Sequence, residues 1–283
     1  MDFAYYLLLI ALGLVAGGSG GLLGIGGSLV MIPGMILLFG AEGQQAGQDP
    51  QHLYQAAAMI VNFFVVLPAV VRHAQARATI PSVIRLTIPS AIVGAVAGVY
   101  VSELSVFKGS GQGYLQIAFS LFLFYVVLYN LGKLLRTRAD REHAASAQSP
   151  RRSKTLIVAL VGVPSGLVGG LLGIGGGLFA VPAQQVGLRI RLQNAIANSA
   201  ATILWSSVVG AAVKNYHLAD HGYSLGDSLR LAVCLIPSAM IGSWYTSARV
   251  HRWPVRVIRL AFVVLLLYCG ADVFLKGLAQ VRS

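Results

Sequence analysis

Charge is what this chain has least of. Only 11% of its residues are Asp, Glu, Lys or Arg, with 9 acids against 21 bases. About a quarter of a soluble domain is charged, because its surface must face water. A water-soluble globule is therefore excluded. The carboxylates are also poorly placed for catalysis. Asp272 alone among them lies inside an apolar run, and it reads as the partner of Lys276 one helical turn on. No apolar run holds two acids and no His-Glu-x-x-His occurs, so a membrane-embedded hydrolase would lack its catalytic groups. No glycine-rich stretch ends in Gly-Lys-Ser or Gly-Lys-Thr, and none fits Gly-x-Gly-x-x-Gly, which excludes a nucleotide loop. Cysteine is nearly absent. Cys234 and Cys269 sit alone in apolar runs and make neither a zinc motif nor a disulfide framework. The chain reads as a non-enzyme with no metal and no cofactor. Its opening Met1-Asp2-Phe3 carries no basic leader region, so no cleaved signal peptide is expected. His52, His73, His217, His221 and His251 fall at loops or run ends, His143 in a linker, and none is given a role.

Apolar sequence is what fills the chain: 56% of residues are hydrophobic and the mean hydropathy is +0.74. These residues form runs at roughly 4–23, 28–40, 53–71, 83–101, 114–132, 155–172, 177–188, 194–213, 228–247 and 257–275. Most approach the roughly 20 residues with which a helix crosses a bilayer core. None alternates with period two, which argues against a membrane β-barrel. The net charge of +12 comes from bases in the short loops between runs. That is the signature of membrane orientation, and nucleic acid is excluded as a partner in favour of the lipid bilayer. The expected fold is all-α: a polytopic transmembrane helix bundle.

The chain repeats itself. Gly20-Gly21-Leu22-Leu23-Gly24-Ile25-Gly26-Gly27 recurs letter for letter as Gly169-Gly170-Leu171-Leu172-Gly173-Ile174-Gly175-Gly176, with Pro33 and Pro182 following at equal spacing. Ile88-Pro89-Ser90-Ala91 with Gly94 matches Ile236-Pro237-Ser238-Ala239 with Gly242. Ala118-Phe119, Tyr125 and Lys133 match Ala261-Phe262, Tyr268 and Lys276. This divides a single membrane domain, 1–283, into repeats at 1–135 and 155–283, joined by a basic, cytoplasmic linker at 136–154. Duplication of this kind is typical of secondary transporters, which hold their solute between the repeats.

Two topologies compete. If each glycine motif lies in one crossing helix, the halves run the same way and Arg249, Arg252, Arg256 and Arg259 face outward. If the chain turns back at each motif, the halves are inverted and those four arginines move inside, joining Arg72, Arg77, Arg85 and the linker. Lys214, Arg230, Lys276 and Arg282 then face outward. The inverted version satisfies the positive-inside rule better. The short arms 28–40 and 177–188 also suit broken or re-entrant helices.

The glycine motifs are the expected solute site. Each glycine costs a helix about 1 kcal/mol relative to alanine, and a broken helix in lipid must satisfy its freed backbone groups or line a cavity. A half-helix starting near Gly26-Gly27 or Gly175-Gly176-Gly177 would aim N–H groups and a positive dipole end at that cavity, which suits a small anion. Gly24 and Gly173 complete the breaks. Close packing explains Gly94-x-x-x-Gly98 and is the alternative for Gly20-x-x-x-Gly24, Gly162-x-x-x-Gly166 and Gly169-x-x-x-Gly173. Polar residues inside apolar runs are the other candidates: Gln55, Asn62, Gln184, Gln185, Asn194, Asn198, Ser199 and Thr202. Asn194, Asn198 and Thr202 share one helix face and could bond a solute or a neighbouring helix.

The doubled glycine motif with its proline, and Leu192-Gln193-Asn194-Ala195-Ile196-Ala197-Asn198-Ser199 opening the next run, resemble the TauE/SafE sulfite-exporter family, also called the 4-toluene sulfonate uptake permease family. The resemblance implies a multi-pass transporter of the plasma membrane (the bacterial inner membrane) for small anions such as sulfite, sulfoacetate or related sulfonates. Protons are a candidate coupling ion. A passive anion channel, or a transporter of another small organic solute, stays open. The family tends to carry a small-Thr-Ser triplet in the second helix of each repeat. Ala197-Asn198-Ser199 approximates it, whereas Ala58-Met59-Ile60 in the first half departs from it.

Overall fold

The computed structural model describes residues 3–39, 50–104, 106, 112–135, 155–188, 190, 192–249 and 255–282. The expected linker at 136–154, together with Lys108, Arg189, Arg191, Arg252, His143 and His251, lies outside the described residues, as does the side chain of Gln185. The described chain is all-α, with ten α-helices and no strand among the described residues. They are α1 (Phe3–Leu23), α2 (Ser28–Phe39), α3 (Pro50–Gln75), α4 (Pro81–Ser102), α5 (Gln112–Leu135), α6 (Thr155–Leu172), α7 (Gly177–Gly187), α8 (Leu192–Tyr216), α9 (Leu225–Arg249) and α10 (Val255–Arg282). A 3-10 turn, Leu218–His221, joins α8 to α9.

The molecule is apolar outside and polar within. Leu128, Val233 and Val264 stand more than half exposed, at 68%, 63% and 60%. Ser28, Gln55, Asn62, Asn198 and Ser199 are fully buried. Water would oppose that distribution, and lipid favours it. Five described helices are long and apolar enough to cross a membrane: those at Pro50–Gln75, Pro81–Ser102, Gly113–Gly132, Asn194–Tyr216 and Leu225–Ser247.

At both glycine motifs the chain turns back. Gly24 and Gly26 adopt φ of +64° and +83°, and Gly173, Gly175 and Gly176 lie at +74°, +72° and +71°. These values end α1 and α6, since side chains rarely tolerate them. The returning arm α2 then lies against α1: a β-carbon on Gly27 would stand 3.3 Å from the Ala16 oxygen, and one on Gly34 only 2.3 Å from Leu12. In the second hairpin, Ser165 Oγ donates to the Gly176 carbonyl at 2.7 Å.

Close helix pairs fix the direction of each hairpin. Glycines four residues apart let backbones touch. On α1, Gly13, Gly17 and Gly21 meet Leu235–Ser238, Ala239 and Ser243 of α9 in parallel register. On α6, Gly162, Gly166 and Gly170 meet Thr87–Ser90, Ala91 and Ala95 of α4 in the same manner. The Gly94 and Gly98 spacing is therefore a packing motif, as expected: their β-carbons would come within 2.2 Å of the Val163 and Leu167 oxygens. The helix α8 runs antiparallel to α3. Its first turns bond the α3–α4 turn through Asn194 and Asn198, and its last turn reaches His52 and Ser102 through Lys214. The α3–α4 and α8–α9 connections thus lie at opposite ends of the bundle. Single cysteines at Ala76 and Tyr223, with Cys234 and Cys269 replaced by serine, are expected to react with a membrane-impermeant thiol reagent from opposite faces. Labelling of both from one face would contradict the arrangement.

Candidate functional site

The two hairpins enter from opposite ends and their tips meet inside the bundle. A β-carbon on Gly177 would lie 3.2 Å from the Gly24 oxygen and 2.2 Å from Ile203. Gly26 and Gly175 both face Asn62 of α3, with β-carbon positions 2.8 and 2.9 Å from its amide. Gly24 backs onto Ile196 of α8, and Gly173 onto Gln55 of α3. Each break is thus pressed against the long helix of the other half as well as its own.

The helix starts at the two tips are satisfied differently. A helix leaves its first N–H groups without partners. At α2, Asn62 Oδ1 accepts the Gly27 and Ser28 N–H groups at 2.8 and 3.1 Å, while its Nδ2 donates to Ser28 Oγ at 2.8 Å. This is an N-cap delivered from another helix. At α7, Gly176 stands at the cap position in left-handed conformation and, having no side chain, supplies no cap bond of its own. Ile203, an apolar residue, occupies the place beside Gly175 and Gly177. Ser199 Oγ donates to the Gly177 carbonyl at 3.3 Å. Gln55 is fully buried beside the tips and reaches the Leu171 carbonyl through Nε2 at 3.4 Å, while its Oε1 has no hydrogen-bond partner among the described residues.

The other polar residues of α8 spend their bonds elsewhere. Asn194 Nδ2 donates to the Ala78 carbonyl at 2.7 Å. Asn198 Oδ1 accepts the Ile80 N–H at 2.8 Å, and its Nδ2 donates to Gln184 Oε1 at 3.2 Å. Thr202 Oγ1 donates to the Asn198 carbonyl at 2.8 Å and touches Thr87 Oγ1. Their shared face looks toward α4 and its preceding turn. Ile196, Ser199 and Ile203 form the face that meets the breaks. Asp272 bonds Lys276 at 2.8 Å, as the sequence predicts.

One buried group was illegible in the sequence. Lys214, 1% exposed at the end of α8, sends its ammonium to Glu103 Oε1 at 2.7 Å, to Ser102 Oγ at 2.8 Å and to His52 Nδ1. His221 Nε2 bonds the other Glu103 oxygen, and its ring stacks on His52 with centroids 3.6 Å apart. Two imidazoles and a carboxylate can serve a divalent metal; here the Lys214 ammonium already bonds two members of that set, Glu103 and His52. Burial would raise the Glu103 pKa, yet contacts with His221 and His52 and the Lys214 charge outweigh it and hold the carboxyl well below the usual carboxylate range. Glu103 therefore stays ionised wherever imidazole titrates. Its stabilisation is present above the ordinary carboxylate pKa and is lost as pH falls below it. The sequence signal was Glu103 itself, a rare acid at the end of an apolar run.

A bundle with an apolar exterior, a polar interior and two broken hairpins meeting inside it defines a multi-pass membrane protein with an architecture typical of secondary transporters. The chain belongs to the family described as Sulfite exporter TauE/SafE, whose pattern matches residues 9–273. It is 28% identical over 277 residues to "Probable membrane transporter protein MamO" of Paramagnetospirillum magneticum, covering 89% of this chain and 41% of that protein. The chain thus spans about two fifths of the length of the MamO relatives it matches. It is 25% identical to "Probable membrane transporter protein YunE" of Bacillus subtilis, covering 96% of this chain and 98% of that one. A "Probable membrane transporter protein" of Haemophilus influenzae is 23% identical, at 97% and 100% coverage. No solved structure matches. These relatives are named probable membrane transporter proteins, and the five long apolar helices among the described residues fit a multi-pass membrane protein.

Replacing Asn62 by alanine removes the cap on α2 and is expected to cost about 1 kcal/mol, seen as a lowered thermal midpoint of the purified protein. An unchanged midpoint would show that the cap is dispensable.

Proposed function

We propose that the protein is a secondary transporter built from two inverted repeats, and that it carries a small sulfur oxyanion, sulfite or a related sulfonate, held where the hairpin tips meet. The observation that carries this reading is the convergence of the two breaks, Gly24–Gly27 and Gly173–Gly177, deep inside the bundle. Irregular backbone at membrane depth belongs where it is buried in protein or lines a solute path. The start of α7 fits the anion better than that of α2, because Asn62 already fills the N–H groups at Gly27 and Ser28. Around it stand Gly175, Gly176, Gly177, Ser199 and Gln55. Asn194, Asn198 and Thr202 keep the opposite face of α8 on the α3–α4 turn, so they would support the site rather than touch the solute.

The paired contacts of α1 with α9 and of α4 with α6 support the inverted repeat. So do the opposite positions of the α3–α4 and α8–α9 connections. The bases of the α3–α4 turn support a cytoplasmic position for that end. Rocking of one half against the other would expose the tips to each side in turn. The family's description supports a sulfur anion.

Reconstituted vesicles are expected to take up sulfite, sulfoacetate or a simple sulfonate saturably, with acetate and chloride excluded. Gly175→Val, at a left-handed backbone position with Asn62 and Ile203 2.9 Å from its β-carbon, should abolish this flux. Gly132→Val, where nothing lies within 4 Å, should leave it intact. Flux that survives Gly175→Val would move the site elsewhere, and unsaturable flux would mark a channel.

A further inference from the structure

We infer that the crevice between the last turn of α3 and the end of α9 binds one anionic phospholipid of the cytoplasmic leaflet, with its phosphate on Arg72 and an acyl chain along Ile241, Trp244 and Tyr245. The site stands apart from the hairpin tips and from the solute proposed above.

Arg72 lies in the last turn of α3, and Trp244 near the end of α9. The guanidinium carbon sits over the Trp244 ring, 4.7 Å from its centroid. The two helices come from different halves and touch just above this pair, where Ser243 Oγ donates to the Val65 carbonyl at 2.6 Å. Arg72 is half-buried, and its Nε is buried with no hydrogen-bond partner among the described residues. A ring face attracts the positive charge, but the five N–H donors of a guanidinium call for oxygen acceptors. A buried donor left unpaired is costly. The described acids are placed elsewhere. Glu103 and Asp220 join the histidines of the 3-10 turn, Asp227 opens α9 at its far end, and Asp272 pairs with Lys276. The other charged residues of the α3–α4 turn are bases, Arg77 and Arg85, and both are exposed. Charge complementarity at Arg72 therefore calls for an anion.

The surface beside Arg72 selects a lipid over a free anion. Ile241, Trp244 and Tyr245 follow at i, i+3 and i+4, so they share one face of α9. They are 63%, 55% and 48% exposed, and Val71 next to Arg72 is exposed as well. An inorganic oxyanion gains nothing from this apolar track, whereas an acyl chain can lie along it. The guanidinium fork matches a phosphate with two parallel bonds. Tryptophan and tyrosine gather at headgroup depth, and basic pockets between helices on the cytoplasmic side hold anionic headgroups. Duplication does not supply the aromatic partner: the match of Gly94 with Gly242 puts Val96 where the second half has Trp244. The lipid would bridge α3 and α9, one helix from each half.

The test uses the full chain, purified in a nonionic detergent at about 0.15 M salt and stripped of lipid, with bound lipid counted by native mass spectrometry. The wild type should retain one phosphatidylglycerol saturably, prefer it to phosphatidylcholine, and keep it when inorganic phosphate is added at the same concentration. Arg72→Gln should weaken retention about tenfold, and Trp244→Leu should weaken it too. Arg72→Lys keeps the charge but loses the fork, and it should fall between wild type and Arg72→Gln. Arg85→Gln removes an exposed, screened base from the same end and should stay within about twofold of wild type. Equal retention of the two lipids by the wild type, displacement by inorganic phosphate, or equal losses in Arg72→Gln and Arg85→Gln would overturn the proposal. No flux is read, so none of these outcomes bears on the solute.

Discussion

Two helices that stop inside the bundle govern everything else in this structure. In lipid a broken helix cannot leave its N–H and carbonyl groups to water, so the surrounding protein must meet them. The first break is met by Asn62, which supplies an oxygen to Gly27 and Ser28 and a donor to Ser28 Oγ. The second is held by Ser165 and Ser199 through carbonyls, and its cap residue Gly176 has no side chain to bond the helix start. The same break is capped by a side chain from α3 in one half and is bonded through its carbonyls in the other. A symmetrical backbone thereby acquires an asymmetrical chemistry.

Close packing is the second consequence. For the tips to meet, the hairpins must be gripped tightly on their flanks, and the four-residue glycine stripes of α1 and α6 provide that grip against α9 and α4. The glycines of each motif thus divide by face. Gly13, Gly17 and Gly21 serve packing, while Gly24 and Gly26 serve the turn. Grip and break together resemble a lever: the outer contacts are rigid, and the inner ends are irregular. The ion cluster at His52 and Lys214 ties the long helices at one end.

Much of this was legible from residues alone. Run lengths gave the helices, and the letter-for-letter glycine motif located both breaks. The placement of Arg249 to Arg259 favoured a turned-back chain, and the chain does turn back at both motifs. Helix-face arithmetic went less far. Asn194, Asn198 and Thr202 share a face as their spacing requires, but spacing does not say which neighbour that face meets, and it meets the α3–α4 turn. Asn62 was one of several polar residues in an apolar run, and its role depends on a contact 34 positions away. The Lys214 cluster joins residues more than 100 positions apart. Apart from Glu103, a rare acid at the end of an apolar run, nothing local distinguishes its members from loop residues of the same type.

The most direct measurement is an experimental structure of the protein in lipid nanodiscs with sulfite present. The account predicts two hairpins entering from opposite faces, with anion density against the Gly177 end of α7, beside Ser199 and Gln55. Density lodged elsewhere, or glycine motifs running as continuous crossing helices, would contradict it.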